Sequence, residues 1–267
     1  MTFLPPNLKR DLATGRLTEQ LAEIAEEASA LILPFWRADA AVTRKADDSP
    51  VTEADQKAEL LIVARLAALY PEVQAVAEEA CAADGAPDAE RAFFLIDPLD
   101  GTKAFVAERE AFTVNIALVK GEQVVAGVIS APAMSQTWRS GGTDAAGAGA
   151  FTRRFGDPAW RPVRVREKPE KGSALVSHSL KEDEAERIAA RFGCGQWQAL
   201  DSSVKFCLIA EGRFDVYPRT GPTCEWDTGA GQAILEAAGG RVLTLDGQPL
   251  TYAKPGFLNP GFVAMGG

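Results

Sequence analysis

A layered α/β protein, in which helices and strands alternate around stacked sheets in the α+β manner, is what this sequence predicts. Three observations carry the prediction. Apolar residues recur at helical intervals near the amino end, short strand-like apolar runs fill the middle, and strands and helices alternate again in the last third before a Gly-Gly stop. The chain has 267 residues, 46% apolar and 24% charged, a balance that supports a sizeable core in one large domain or two subdomains.

The elements follow in chain order. Leu17, Leu21, Ile24, Ala28, Leu31, Ile32 and Phe35 recur every three or four residues, which predicts an amphipathic helix over 17–35. Ala58, Leu61, Ile62, Leu66 and Leu69 repeat the pattern after the string SPVTEAD and stop before Pro71. The run FFLI at 93–96 predicts a buried strand, and 113–119 and 123–129 a hairpin about Lys120, Gly121 and Glu122. Stretches 141–149 and 156–169, rich in Gly, Ala, Pro and basic residues, predict irregular surface chain or edge strands. Beyond them come a strand at 174–177, helices at 181–192 and 203–212, a strand at 214–217 and a helix at 227–238 closed by Gly239 and Gly240. A subdomain boundary at 168/169 is expected, dividing the chain into 1–168 and 169–267.

Composition excludes several functions. With 28 Lys and Arg against 37 Asp and Glu, the net charge is −9, and no basic block exists to grip polymeric nucleic acid or an anionic membrane. Four widely spaced cysteines without a C-x-x-C suggest buried free thiols. A single histidine, His178, makes His-rich metal sites and a Ser-His-Asp triad weak propositions. The amino end lacks a signal-peptide core and no apolar run reaches about 18 residues. A soluble cytoplasmic protein is therefore expected.

The chemistry is expected at carboxylates. In LIDPLDGTK a strand runs into a Pro-containing tight turn that brings Asp97 and Asp100 to one side, with the Leu99 carbonyl beside them; these are the hard oxygens Mg²⁺ prefers. Gly101 permits close approach of backbone to a ligand. Taken alone, D-P-x-D is an ordinary solvated turn. Asp55 and Asp227 open predicted helices and read equally well as caps, and Glu78-Glu79 as a solvated pair. Together, acids at strand-to-helix junctions are what a two-metal phosphoester hydrolase requires, shared carboxylates holding ions that activate water and stabilise the leaving oxygen.

The strings SPVTEAD (49–55), AEE (77–79), LIDPLDGTKAF (95–105) and EWDTGAGQAILEAAGG (225–240) resemble, in order, the signatures of the inositol monophosphatase superfamily. Lys103 after DGT, SSVKFCLIAEG (202–212) and YPRTGPTCEWDT (217–228) are most similar to its CysQ-type 3'(2'),5'-bisphosphate nucleotidase branch. The resemblance implies a five-layered αβαβα sandwich of the inositol monophosphatase/fructose-1,6-bisphosphatase type, two or three Mg²⁺ ions, inhibition by Li⁺, a role in sulfur assimilation and, as often in the superfamily, a homodimer. By position it implies metal ligation by Glu78, Asp97, the Leu99 carbonyl, Asp100 and Asp227, with Glu79 behind them. Thr102 and Asp55 would orient and deprotonate the attacking water, and the Gly101 and Thr102 amides would hold phosphate. His178, Ser202, Lys205 and Arg219 match the branch's nucleotide and phosphate contacts. Ala77 and Ala104 depart from the usual pattern without removing a ligand.

The implied reaction is removal of the 3'-phosphate of 3'-phosphoadenosine 5'-phosphate to give AMP and phosphate, with action on the sulfated analogue. The alternatives are an inositol-phosphate or fructose-1,6-bisphosphate phosphatase and a non-catalytic metal- and nucleotide-binding sensor. Plainer roles stand beside each substrate contact: Lys205 as a solvated helix residue, Arg219 as partner of Glu225 or Asp215, His178 as an ordinary histidine. Trp160, Trp197, Tyr217 and Trp226 read as adenine platforms or as core.

Overall fold

The computed structural model describes residues 4–37, 42–44, 50–89, 91–145 and 147–267. Ser49 of the SPVTEAD string lies outside them, as do the first three residues of the chain. Two large sheets and three sets of helices stack in the order αβαβα. A seven-stranded sheet runs Gln74–Ala77, Ala92–Asp100, Thr113–Lys120, Gln123–Ala131, Gln136–Ser140, Ala150–Arg154, Arg161–Val163, antiparallel throughout except for its first pair. A five-stranded sheet runs Cys194–Leu200, Gly172–Ser177, Val216–Arg219, Phe262–Met265, Arg241–Thr244. The first sheet ends at Val163 and the second begins at Gly172.

Alternation along the central strands explains the layering. Phe94, Ile96, Ile116 and Leu118 face the outer helices Arg16–Ile32 and Glu53–Leu69, while Phe93, Leu95, Ala117 and Val119 face the middle layer. Both faces are covered, so the strands read as unbroken apolar runs. The middle layer holds the helices Val204–Ala210 and Gly229–Ala237. It packs on both sheets, and the helix Glu182–Arg191 covers the far face of the five-stranded sheet. Small residues let Gly229–Ala237 sit between two sheets: a Cβ on Gly127 would stand 2.6 Å from the Ala230 carbonyl oxygen.

Most expected elements form within a few residues of their expected bounds. The first helix ends at Ile32 and tightens into a 3₁₀ turn over Leu33–Phe35, where Pro34 lacks the N–H that would continue the ladder. The second starts five residues before its apolar stripe, at Glu53, because Thr52 and Asp55 form a capping box. The strand expected at 214–217 lies at Val216–Arg219. The edge strand Arg161–Val163 lies in the stretch expected to hold one. Cys194 and Cys207 are buried free thiols; Cys81 and Cys224 are only partly buried. Among the described residues no helix is long and apolar enough to cross a membrane.

The connection between the two sheets is pinned by Asp215. Its carboxylate accepts Arg166 Nε and Nη2, each at 2.8 Å, the Ser173 amide at 2.7 Å and the Ser173 hydroxyl at 2.9 Å. Burial alone would raise its pKa; the hydrogen bonds from Arg166 and Ser173 outweigh burial and hold it below 3.8. A carboxyl with a depressed folded pKa contributes stability that is present above its unfolded value and lost as pH falls through the folded one. Asp215→Asn is expected to cost about 2 kcal/mol near pH 7. The gap from wild type should close as pH falls below about 4, as read from urea melts across pH.

Candidate active site

The cleft is made by a β-bulge. In a regular strand Asp97 and Asp100, three apart, would point to opposite faces. Asp97 pairs with Asn115 and Asp100 with Thr113, so two steps on one strand face three on the other. Pro98 has no N–H to give the ladder, and the extra residue returns both aspartates to the face of the middle layer. The strand therefore runs through Asp100. The tight turn expected after Asp97 is a bulge inside the strand, with the same consequence for the two carboxylates.

Each remaining acid is delivered by an element start. Glu78 opens the helix Glu78–Asp84 directly after the strand Gln74–Ala77. The Glu79 and Ala80 amides at that helix start donate to Glu59, both at 2.8 Å. Asp227 closes the 3₁₀ turn Glu225–Asp227 before the helix Gly229–Ala237, and accepts the Cys224 amide at 2.7 Å. Glu78, Asp97 and Asp227 each offer an oxygen, and these oxygens lie within 4.8 Å of one another. All are hard donors, which fits Mg²⁺.

Asp100 stands beside this trio. Its Oδ2 accepts the Ser203 amide and, at 3.5 Å, Asn115 Nδ2. Burial, and then repulsion from Asp100 and from Glu78, raises the pKa of Asp227 well above the usual carboxylate range. Burial likewise raises Asp100, with Lys205 partly offsetting it. Such a cluster is a site short of positive charge.

The pair expected to handle water is in place. Asp55 Oδ2 accepts the Thr52 amide at 2.7 Å and the Thr52 hydroxyl at 2.5 Å, while Oδ1 faces the Thr102 hydroxyl at 3.3 Å. The Leu99 carbonyl, 3.1 Å from Thr102 Oγ1, is the competing acceptor for that hydroxyl's single hydrogen. Burial raises the Asp55 pKa against the lowering effect of the bonds from Thr52. Gly101, at φ +93°, adopts a left-handed conformation, and a Cβ there would meet the Ala111 carbonyl oxygen at 2.9 Å.

A cleft of about 350 Å³ collects Glu78, Asp100, Gly101, Thr102, Ser202, Lys205, Arg219 and Asp227. Lys205 is buried: its ammonium donates to the Leu200 carbonyl at 3.0 Å and to the Ser202 carbonyl, and burial pushes its pKa down to about 8 despite the attraction of Asp100. Arg219 pairs with neither Glu225, which holds Lys254, nor Asp215, which holds Arg166; its Nη2 donates to the Pro222 carbonyl at 3.1 Å. His178 sits exposed on the turn between Ser177 and Ser179; those two serines line the cleft and the histidine does not. Of the aromatic candidates only Tyr217 lines it, its ring packed edge-on against Phe206 and Phe262.

The supporting shell carries residues that the sequence analysis did not single out. Thr113, Asn115 and Ser203 form a buried chain, Thr113 Oγ1 to Ser203 Oγ at 2.8 Å and Ser203 Oγ to Asn115 Oδ1 at 2.7 Å, that ends on Asp100. Polar residues at two-residue spacing inside TVNIALV were the available signal, as was Glu59 within an apolar helix.

Comparison with known proteins accords with this geometry. Residues 15–262 match the inositol monophosphatase family. The 3'(2'),5'-bisphosphate nucleotidase CysQ of Salmonella typhimurium is 37% identical over 249 residues, covering 92% of this chain and 98% of that protein. The crystal structure of CysQ from Bacteroides thetaiotaomicron superposes with a TM-score of 0.76 at 30% identity, covering 94% and 97% of the two chains. An inositol monophosphatase from Zymomonas mobilis superposes with a TM-score of 0.73 at 27% identity over 98% and 94%. With a matching family model over nearly its whole length and the fold and acid cluster in place, this chain belongs to the inositol monophosphatase family.

Proposed function

We propose that this protein is a cytoplasmic, Mg²⁺-dependent 3'(2'),5'-bisphosphate nucleotidase that removes the 3'-phosphate of adenosine 3',5'-bisphosphate, giving AMP and phosphate, and that also accepts 3'-phosphoadenylyl sulfate. The observation that carries the reading is that the Glu78, Asp97 and Asp227 oxygens lie within 4.8 Å of one another and that Glu78 and Asp227 line one cleft with Thr102, the partner of Asp55. Similarity to curated nucleotidases over nearly the whole chain favours the substrate. In this reading residues 1–168 supply most of the acids, and residues 169–267 complete the metal site with Asp227 and furnish the substrate contacts.

Glu78, Asp97, Asp100, Asp227 and the Leu99 carbonyl would hold the metal, with Glu79 behind them. Bound Mg²⁺ would supply Lewis acidity toward water and toward the leaving oxygen. The chain's own residues do the rest. Thr102 Oγ1 has one hydrogen; given to Asp55 Oδ1, it leaves lone pairs that accept a hydrogen bond from water in the cleft, so that a proton taken from water is matched by the hydroxyl proton passed on to Asp55. A threonine hydroxyl is a poor base alone, and the buried Asp55 behind it, its pKa raised, is the group able to take the proton. The Gly101 and Thr102 amides would receive the phosphate, and Ser202, Arg219 and the His178 turn would meet the nucleoside side. Lys205, already bonded to two carbonyls, would act on the phosphate mainly as a nearby positive charge.

Two outcomes are expected. Purified protein with Mg²⁺ should release phosphate from adenosine 3',5'-bisphosphate far faster than from myo-inositol 1-phosphate in a side-by-side assay; the reverse order would assign an inositol-phosphate phosphatase instead. Asp55→Asn and Thr102→Ala should each lower kcat about 10²- to 10⁴-fold with little change in KM, and the double variant should be no worse than the worse single one. Losses that multiply in steady-state kinetics would show that the two residues do not act as a unit.

A further inference from the structure

Glu78 opens the helix Glu78–Asp84, and little within that helix holds it in place. Its 7 residues are too few to make a stable helix alone, and none of them is buried, Cys81 packing only part-way against the core. The N-cap position is Ala77, whose backbone has the extended N-cap conformation, φ −124° and ψ 143°, but whose side chain has no oxygen to accept the first-turn amides. Glu59 supplies what Ala77 lacks. It comes from a different helix, Glu53–Leu69, where it is buried, and its two carboxylate oxygens accept one amide each: Oε2 that of Glu79 and Oε1 that of Ala80, both at 2.8 Å. On the other side, the strand ladder pins Ala77 opposite Ile96, next to Asp97. Glu78 therefore stands between two anchors. The helix that carries Glu59 also carries Asp55 one turn earlier, both on its buried face, so the group behind the attacking water and the support of Glu78 share one rigid element.

We propose that Glu59 is the positioning residue of Glu78: by capping the helix from outside, it fixes where the Glu78 carboxylate meets those of Asp97 and Asp227, and so sets the affinity of the site for Mg²⁺. The inference rests on the metal-dependent reading above. Glu59 acts through two backbone amides and not through the ion, so its loss weakens metal binding and leaves the chemistry of the loaded enzyme nearly intact.

The test is calorimetric titration of Mg²⁺ into the metal-free full chain, wild type beside Glu59→Ala, Glu59→Gln and the double variant Glu59→Ala/Ala77→Ser, with melting temperatures and with kinetics on adenosine 3',5'-bisphosphate. Glu59→Ala should weaken Mg²⁺ binding about 10- to 100-fold, with kcat at saturating Mg²⁺ within about 3-fold of wild type. Glu59→Gln keeps the volume and one acceptor oxygen; it should weaken binding about 10-fold, and it decides the matter if Glu59→Ala does not fold. A hydroxyl at the N-cap accepts a first-turn amide, so Ala77→Ser should recover about 5-fold in the double variant. A lower melting temperature with Mg²⁺ affinity unchanged would make Glu59 a stabilising residue only and overturn the proposal. A loss that Ala77→Ser leaves untouched would also overturn it, since the charge of Glu59 rather than its hydrogen bonds would then be at work. If wild type binds no Mg²⁺, the metal-dependent reading falls and takes this inference with it; if wild type binds and both single Glu59 variants bind as tightly, only the inference falls.

Discussion

Withdrawal of the Asp100 and Asp227 carboxylates from water, with repulsion from Glu78 added to it, is the constraint on which the site depends, and the surrounding bonds are placed to restrain it. Two like charges a few ångströms apart cost several-fold more at a low effective dielectric than in bulk water. The protein answers with backbone amides and, at Asp100, with the positive charge of Lys205. Asp97 accepts the Leu99 amide, Asp100 the Ser203 amide and Asp227 the Cys224 amide. These dipoles orient the carboxylates while discharging little of their charge, which leaves the work of neutralisation to a bound cation.

The layered fold is what makes such a cluster buildable. Asp97 and Asp100 come from a central strand of the large sheet, Glu78 from the helix start that follows the strand beside it and Asp227 from the middle layer. Each lies at a strand end, a bulge or a helix start, where side chains can converge without a whole element being charged. Apolar packing on both faces of the large sheet fixes these ends, and the Thr113–Ser203–Asn115 chain joins the sheet to the middle layer just beneath Asp100. A change in any of these supports moves a carboxylate, and a shift of even 1 Å at a reacting centre is costly.

The sequence disclosed the layers and the acids better than it disclosed their supports. Helical and alternating periodicities located most elements because burial dictates them. The strand Cys194–Leu200 escaped: it is an edge strand whose CGQWQAL pattern is largely exposed, so burial imposes no alternation. The bulge at Pro98 escaped in form, since Asp, Pro and Gly spell a turn locally and only pairing to the next strand reveals an irregular ladder. Glu59, Asn115 and Ser203 escaped because they act on other residues of the site, and their spacing has no meaning until two layers meet. The contrast between Lys103 and Lys205 is of the same kind: both are lysines beside a motif, and only burial and hydrogen bonding separate them.

The central claim, that the clustered carboxylates are held apart from their preferred state until a cation joins them, is tested most directly by scanning calorimetry of wild type and Asp227→Asn, with chelator and with Mg²⁺. Without metal, removing one charge relieves repulsion while the Cys224 amide keeps an acceptor, so Asp227→Asn should melt above wild type. With Mg²⁺ in large excess over its dissociation constant, wild type should gain about 2 to 4 kcal/mol by mass action and the order should reverse. A wild-type melting temperature indifferent to Mg²⁺, or a variant less stable than wild type in chelator, would contradict the account.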